Sequence, residues 1–161
     1  LNFAIRKRFA VTFFLIYLAD YVSKFLVLKY LGPNPKDILG GILKLNLTFN
    51  NGGAFSFGAS NGRAFSIFAL SFLAVLFYIV KKIDENGWSL TLGALGGGVL
   101  GNLSDRIFRA PGGLNGGVVD WIQIPHWPIF NFADIAVTVS LLIVAIFLSK
   151  KRPLNSQKVA K

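Results

Sequence analysis

Two aspartates frame the stretch of this chain that is richest in possible chemistry. Val118–Asp134 reads VVDWIQIPHWPIFNFAD, with Asp120 and Asp134 on either side of an aromatic, proline-marked turn. After Asp134 the sequence runs apolar to Leu148. The second carboxylate therefore falls in the first turns of a segment with membrane-span character. An ionisable group at membrane depth costs about 2.5–3.5 kcal/mol on insertion scales, which makes it a functional-site hypothesis by default. Two carboxyl groups brought together share one proton, so that one acts as base and the other as acid. The plainer alternative makes Asp120 a solvated loop residue and Asp134 a helix N-terminal acid, favoured by the helix dipole.

Composition places the pair in a membrane. Of 161 residues, 53% are hydrophobic and 15% charged, well below the roughly 25% charged residues of soluble domains. The length allows about one domain, read as a single polytopic unit over residues 1–161. There is no Cys and one His, His126, which excludes disulfides, thiolate ligands and a multi-histidine zinc site. No metal or cofactor is expected.

Four apolar segments must position the aspartates: about Phe9–Leu28, Ala64–Val80, Trp88–Phe108 and Ile129–Leu148. Each approaches the roughly 20 residues that cross a bilayer core. No A-x-A-like site follows the first, which reads as a retained span and not a cleaved leader. The expected fold class is an all-α membrane protein of four transmembrane helices, with a small extracytoplasmic β-sheet from the outer loops.

The net charge of +10 is a topology signal. Arg6, Lys7 and Arg8 precede the first span, Lys81 and Lys82 follow the second, and Lys150, Lys151 and Arg152 follow the fourth. With four spans these clusters share one side, cytoplasmic by the positive-inside rule. Both termini are then inside, and the loops 30–63 and 109–128 are outside. The charge draws the chain to anionic lipid headgroups, and nucleic acid is discounted as a partner.

Polar residues recur on single faces of three spans. Tyr17, Asp20, Tyr21 and Lys24 fall at i, i+3, i+4 and i+7. Asp20 and Lys24 form an i,i+4 pair in the favourable order, either an internal salt bridge between helices or a substrate contact. Asn102, Asp105, Arg106 and Arg109 repeat the spacing, with Asp105 placed to pair with an Arg and leave the other guanidinium free. Asn131, Asp134 and Thr138 make a third stripe. All three lie toward the outer end of their spans. Such stripes face each other or a water-filled cleft, and not lipid, which favours the paired-carboxylate reading. In the third span Gly93, Gly97 and Gly101 make overlapping GxxxG spacings for close helix packing.

The outer loops carry strand signals. Leu43–Asn50 alternates apolar and polar, Asn50-Asn51-Gly52-Gly53 signals a turn, and Ala54–Phe57 is a candidate returning strand. Gly52 and Gly53 either let the backbone approach another chain closely or simply make the turn. Val118–Ile124 reads as a short strand carrying Asp120, after a glycine-rich, flexible stretch. Trp121 and Trp127 suit an interfacial aromatic belt.

Two rival readings fit the residues less well. A Ser–Lys peptidase would use Ser23 with Lys24, or Ser56, but adjacent helical residues point about 100° apart and are poorly placed as a dyad. A proton-relay transporter or channel subunit would be expected to show internal repeats and broken helices near the midplane, and none is visible.

In order along the chain, five motifs resemble the lipoprotein signal peptidase (signal peptidase II) family of bacterial intramembrane aspartic peptidases. The family's D-x-x-[ST]-K stands at Asp20–Lys24, N-x-G-x-A-F-S at Asn50–Ser56, G-N-x-x-D-R at Gly101–Arg106, V-x-D-[FW] at Val118–Trp121 and F-N-x-A-D at Phe130–Asp134. The departures are Tyr21 where Gln is common, and Asn51 and Gly53 where Thr and Ala are usual; they bear on fine specificity. The resemblance implies that Asp120 and Asp134 are the catalytic pair. It implies that Asn50, Gly52, Asn102, Arg106 and Asn131 line the site, with Asp20, Lys24 and Asp105 supporting it. The implied substrate is a prolipoprotein whose cysteine already carries diacylglyceryl, cleaved just before that cysteine. The implied location is the bacterial cytoplasmic membrane, with the site toward its extracytoplasmic face. A monomer is the default, because the polar faces can be satisfied within one bundle.

Overall fold

A computed structural model describes residues 3–52 and 61–155. In chain order the elements are α1 (Phe3–Tyr30), β1 (Lys36–Asp37), β2 (Lys44–Asn50), α2 (Gly62–Val80), α3 (Asn86–Phe108), β3 (Val118–Gln123) and α4 (Phe132–Ser149).

Helix α3 packs against each of the other three helices, and its glycines are the reason it can. A Cβ on Gly93 would sit 2.7 Å from the Phe9 carbonyl oxygen, and one on Gly101 would sit 2.5 Å from Asp20 Oδ2. Gly97 lies against the Phe13 carbonyl between them. The bare backbone stripe lets α1 approach as in other small-residue helix pairs. On the other faces, Gly96 meets Leu76 of α2 and Gly98 meets the Ala133 carbonyl of α4. Leu92, Leu95 and Leu103 fill the remaining core with Phe9, Leu73 and Leu76.

The outer helices turn apolar side chains outward: Phe14 is 57% exposed, Phe68 71% and Leu142 61%. That is the pattern of a lipid-facing surface. Helices α1, α2 and α4 are long and apolar enough to cross a membrane by length and composition. Among the described residues α3 does not reach that standard, because six glycines, Asn102, Asp105 and Arg106 dilute it. Most of its side chains meet protein, with Leu90 and Phe108 the large apolar exceptions.

The alternation of Leu43–Asn50 becomes β2, the centre of a three-stranded antiparallel sheet in the order β1-β2-β3. Strand β3 comes from the second outer loop, so the sheet joins both loops. Thr48 stands opposite Asp120 and Asn50 opposite Val118, with a register irregularity between Leu45 and Thr48. The candidate returning strand Ala54–Phe57 lies outside the described residues, as do Gly53 and Ser56.

Helix α4 starts at Phe132, three residues later than the expected Ile129. Phe130 is still bridged to Ile122, its N–H donating to the Ile122 carbonyl at 3.0 Å and its carbonyl accepting at 2.8 Å. Asn131 then caps the helix. Its side chain accepts from the Asp134 N–H at 2.9 Å, while the Asp134 carboxylate accepts from the Asn131 N–H at 3.2 Å. This reciprocal capping box fixes the side chain of Asp134 as the helix begins.

Candidate active site

The first polar stripe is shifted from its expected position. Asp20 and Lys24 are buried, but Tyr21 is half exposed and turned away. The buried arc of α1 runs through Asp20, Ser23, Lys24 and Val27. The face is set by contact with the glycine stripe of α3, which periodicity on α1 alone does not show. Thr138 is also exposed, although it lines the cleft described below.

Lys24 is the hub. Its ammonium ion-pairs with Asp20 Oδ2 at 2.7 Å and Asp105 Oδ2 at 2.9 Å, and donates to Asn102 Oδ1 at 2.9 Å. Asp20 in turn accepts from the Ala133 N–H at 3.0 Å, at the start of α4. Asp105 accepts from the Val119 N–H at 3.1 Å, one residue before Asp120, and pairs with Arg109. Two buried acids thus tie the backbones that carry the two candidate catalytic aspartates to α1 and α3. Buried charges need such partners. The pairing of Asp105 with Arg109 is legible from the spacing; its reach to Val119, and that of Asp20 to Ala133, are not.

Above this hub lie the amides. Asn102 Nδ2 donates to Asp134 Oδ1 at 2.8 Å. Asn131 Nδ2 faces Asp120 Oδ1 at 2.6 Å, Asn102 Oδ1 at 3.0 Å and the Val119 carbonyl at 3.2 Å. Asn50 hydrogen bonds to Asp120 from the end of β2. Arg106 donates to the Gly52 carbonyl, and the Gly52 N–H donates to Asn50 Oδ1 at 2.9 Å. Asp120 and Asp134 are therefore joined through Asn131, one by its side-chain amide and the other by its capping box.

Both aspartates open onto one cleft of about 640 Å³, together with Asn50, Gly52, Asn102 and Arg106. Thr48 and Val118 of the sheet, Trp127–Phe130 of the turn and Val137 and Leu141 of α4 complete its wall. Of the expected site residues, Asn131 sits fully buried behind the cleft, and Asp20, Lys24 and Asp105 lie beneath it. Burial, reinforced by the charge of Asp134, pushes the Asp120 carboxyl up to about 7. A carboxyl poised there is divided between its two forms near neutral pH and can both hold a proton and give it up.

The Ser23–Lys24 arrangement does not form. Ser23 Oγ donates to the Asp20 carbonyl at 2.8 Å, and Lys24 is engaged by its three acceptors.

A helical membrane protein with two carboxyl groups converging in a cleft beside a small sheet has the makings of an intramembrane peptidase of the aspartic class. Residues 12–150 match the signal peptidase (SPase) II family, and the chain belongs to it. It is similar to the lipoprotein signal peptidase of Streptomyces coelicolor, 40% identical over 139 residues, 86% of this chain and 68% of that protein. It is likewise similar to that of Mycobacterium tuberculosis, 36% identical over 132 residues, 80% of this chain and 65% of that one. In fold it resembles a bacterial membrane enzyme solved by the in meso method at 2.3 Å resolution. The TM-score is 0.78 at 24% identity, covering 87% of this chain and 86% of that one.

Proposed function

We propose that the chain removes the signal peptide from diacylglyceryl-modified prolipoproteins, with Asp120 and Asp134 as the catalytic pair. It is an aspartic endopeptidase that cleaves just before the lipidated cysteine. The observation that carries the assignment of the pair is the single cleft in which both carboxyl groups meet, joined through Asn131. The ionised aspartate takes a proton from water as its oxygen attacks the scissile carbonyl carbon. The protonated partner donates to the carbonyl oxygen. Arg106 and the amides of Asn50 and Asn102 are donors near the developing oxyanion. When the tetrahedral intermediate collapses, the C–N bond breaks, the amine leaves with the proton taken from water, and the re-formed carboxyl returns the other proton to the pair.

The polypeptide crosses the membrane four times, with α3 as the fourth crossing inside the bundle. Both termini are cytoplasmic and the cleft faces outward. The basic residues in the first turns of α1, following α2 and following α4 support that orientation. A lipid-anchored substrate fits a cleft at the outer boundary, because its acyl chains remain in the bilayer while the peptide bond is presented at the surface. The enzyme works as a monomer and uses side chains and water alone.

The test is cleavage of a diacylglyceryl-modified prolipoprotein by purified protein in detergent, followed as a size shift on a gel. Wild type cleaves, Asp120→Asn and Asp134→Asn do not, and a chelator changes nothing. Activity in either variant overturns the aspartic assignment.

A further inference from the structure

We infer that Lys24 decides which aspartate carries the shared proton: acting through Asn102, it holds Asp134 as the ionised base and leaves the proton on Asp120. The inference rests on the paired-carboxylate reading above and deepens it.

The ammonium of Lys24 is held between the carboxylates of Asp20 and Asp105 and donates to the Asn102 oxygen at 2.9 Å. The Asn102 oxygen also receives Asn131 Nδ2 at 3.0 Å. Two donors on one atom fix the amide. Turned over, Asn102 would press its NH₂ group against an ammonium and a second NH₂ group. Held this way, its Nδ2 has one place to go, Asp134 Oδ1 at 2.8 Å. The other Asp134 oxygen accepts from the Asn131 N–H at the start of α4, where the helix dipole favours negative charge. Each oxygen of Asp134 thus has its own donor, which stabilises the carboxylate. Asp120 is served less well. It shares Asn131 Nδ2 with the Val119 carbonyl and with Asn102, and adds Asn50.

The charge count agrees. Asp134 feels Lys24 of α1, Arg106 of α3 and Asp120 of β3, and ion pairs link Lys24 on to Asp20 of α1 and Asp105 of α3, and Asp105 to Arg109 at the α3 cap. On β2, Lys44 pairs with Gln123 at the far end of the sheet, and Arg63 of α2 is exposed. Four acids face three cations, so the cluster carries one negative charge too many until one proton joins it. The orientation of Asn102 places that proton on Asp120. In the reaction Asp134 then takes the proton from water, and Asp120 donates its own to the carbonyl oxygen. Lys24 is 1% exposed and does not line the cleft, which makes it a positioning residue.

Infrared titration of the carboxyl C=O stretch tests this directly. In Asp120→Asn protein the remaining dyad carboxyl is Asp134, and its band is identified by its loss when Asp134→Asn is added. With Lys24 present, Asp134 shows no protonated band at neutral pH. Adding Asp20→Asn with Lys24→Gln removes one charge of each sign and keeps hydrogen-bonding groups in place. The protonation midpoint of Asp134 then rises by about one unit, a tenfold change in its proton affinity. Asn102→Leu in the same Asp120→Asn protein gives the same rise by removing the amide itself, and serves if the first combination does not fold. An unmoved midpoint in a folded variant, or a protonated Asp134 at neutral pH with Lys24 intact, overturns the inference. Cleavage separates the two readings. If both aspartates are needed for cleavage and the midpoint does not move, the Lys24 relay alone falls. If the midpoint moves but wild type does not cleave lipidated substrate, the peptidase reading falls and the relay stands.

Discussion

Charge ties the helices together at both ends of the bundle, by opposite means. At the cleft end Lys24 and Asp20 are each 1% exposed and Asp105 is 4%. At the other end Arg152 reaches Glu85, with side chains 40% and 21% exposed. Glu85 is held below the ordinary carboxylate range. Its partial burial works against this, but the N–H groups of Gly87 and Trp88, with Arg152, outweigh it. The exposed pair is cheap to make and cheap to lose, because water replaces either partner. The buried cluster has no such substitute. Removing one member leaves another charge stranded in low dielectric. The polar end of the molecule is thus held in one arrangement, which a catalytic pair requires, while the charged end merely fastens a C-terminal segment to the α2–α3 turn.

The largest expected effect breaks the cleft end at its chemistry. Asp120→Asn or Asp134→Asn lowers the cleavage rate by at least about 10³-fold, while circular dichroism and elution volume stay those of wild type. Next comes the hub. Lys24→Met costs about 3–5 kcal/mol of stability, read from denaturant unfolding in micelles, and a second substitution of Asp20→Asn recovers part of that loss. A double variant whose loss equals the sum of the two single losses would show that the two residues do not act as a unit. Gly97→Val forces α1 away from α3 and costs about 1–3 kcal/mol by the same measurement.

The pH dependence of Asp120 sharpens the comparison. Its carboxyl is raised from 3.8 to about 7 in the folded protein, so the folded state binds more protons than the unfolded state between those values. Its contribution to stability is whole below 3.8 and is lost as the pH rises through about 7. The difference in melting temperature between Asp120→Asn and wild type therefore moves in favour of the variant across that window and levels off above it. A constant difference from acid to neutral pH would show that Asp120 is not perturbed by burial. The smallest effect lies at the opposite end, where Arg152→Ala costs about 1 kcal/mol or less and the loss shrinks further in high salt.

Much of this was legible along the chain. The apolar runs foretold α1, α2 and α4 to within a few residues, except at Phe9 and Ile129. The first helix begins six residues earlier, at Phe3, because its basic leader is helical too. The fourth begins three residues later, because Phe130 stays on the sheet and Asn131 caps the helix. That cap was visible in principle, since Asn131 and Asp134 have capping-box spacing. Alternation foretold β2, and Val118–Ile124 read as the short strand that became β3, but their pairing joins residues far apart along the chain, such as Lys44 and Gln123. Tyr21 was misplaced because a helical arc about 100° wide fits more than one set of positions until a partner helix selects one.

The sequence by itself determined the residue types and their period: two aspartates near the ends of apolar runs, glycines every fourth residue on α3, and Asp20 one turn before Lys24. These are local properties, set by spacing along one chain. Only the tertiary structure decided that Lys24 faces Asn102, that Asn131 serves both aspartates, and that Asp105 grips the strand beside Asp120. Those contacts join residues that are distant in sequence, and they exist because α3 lacks the side chains that would keep α1 and α4 apart.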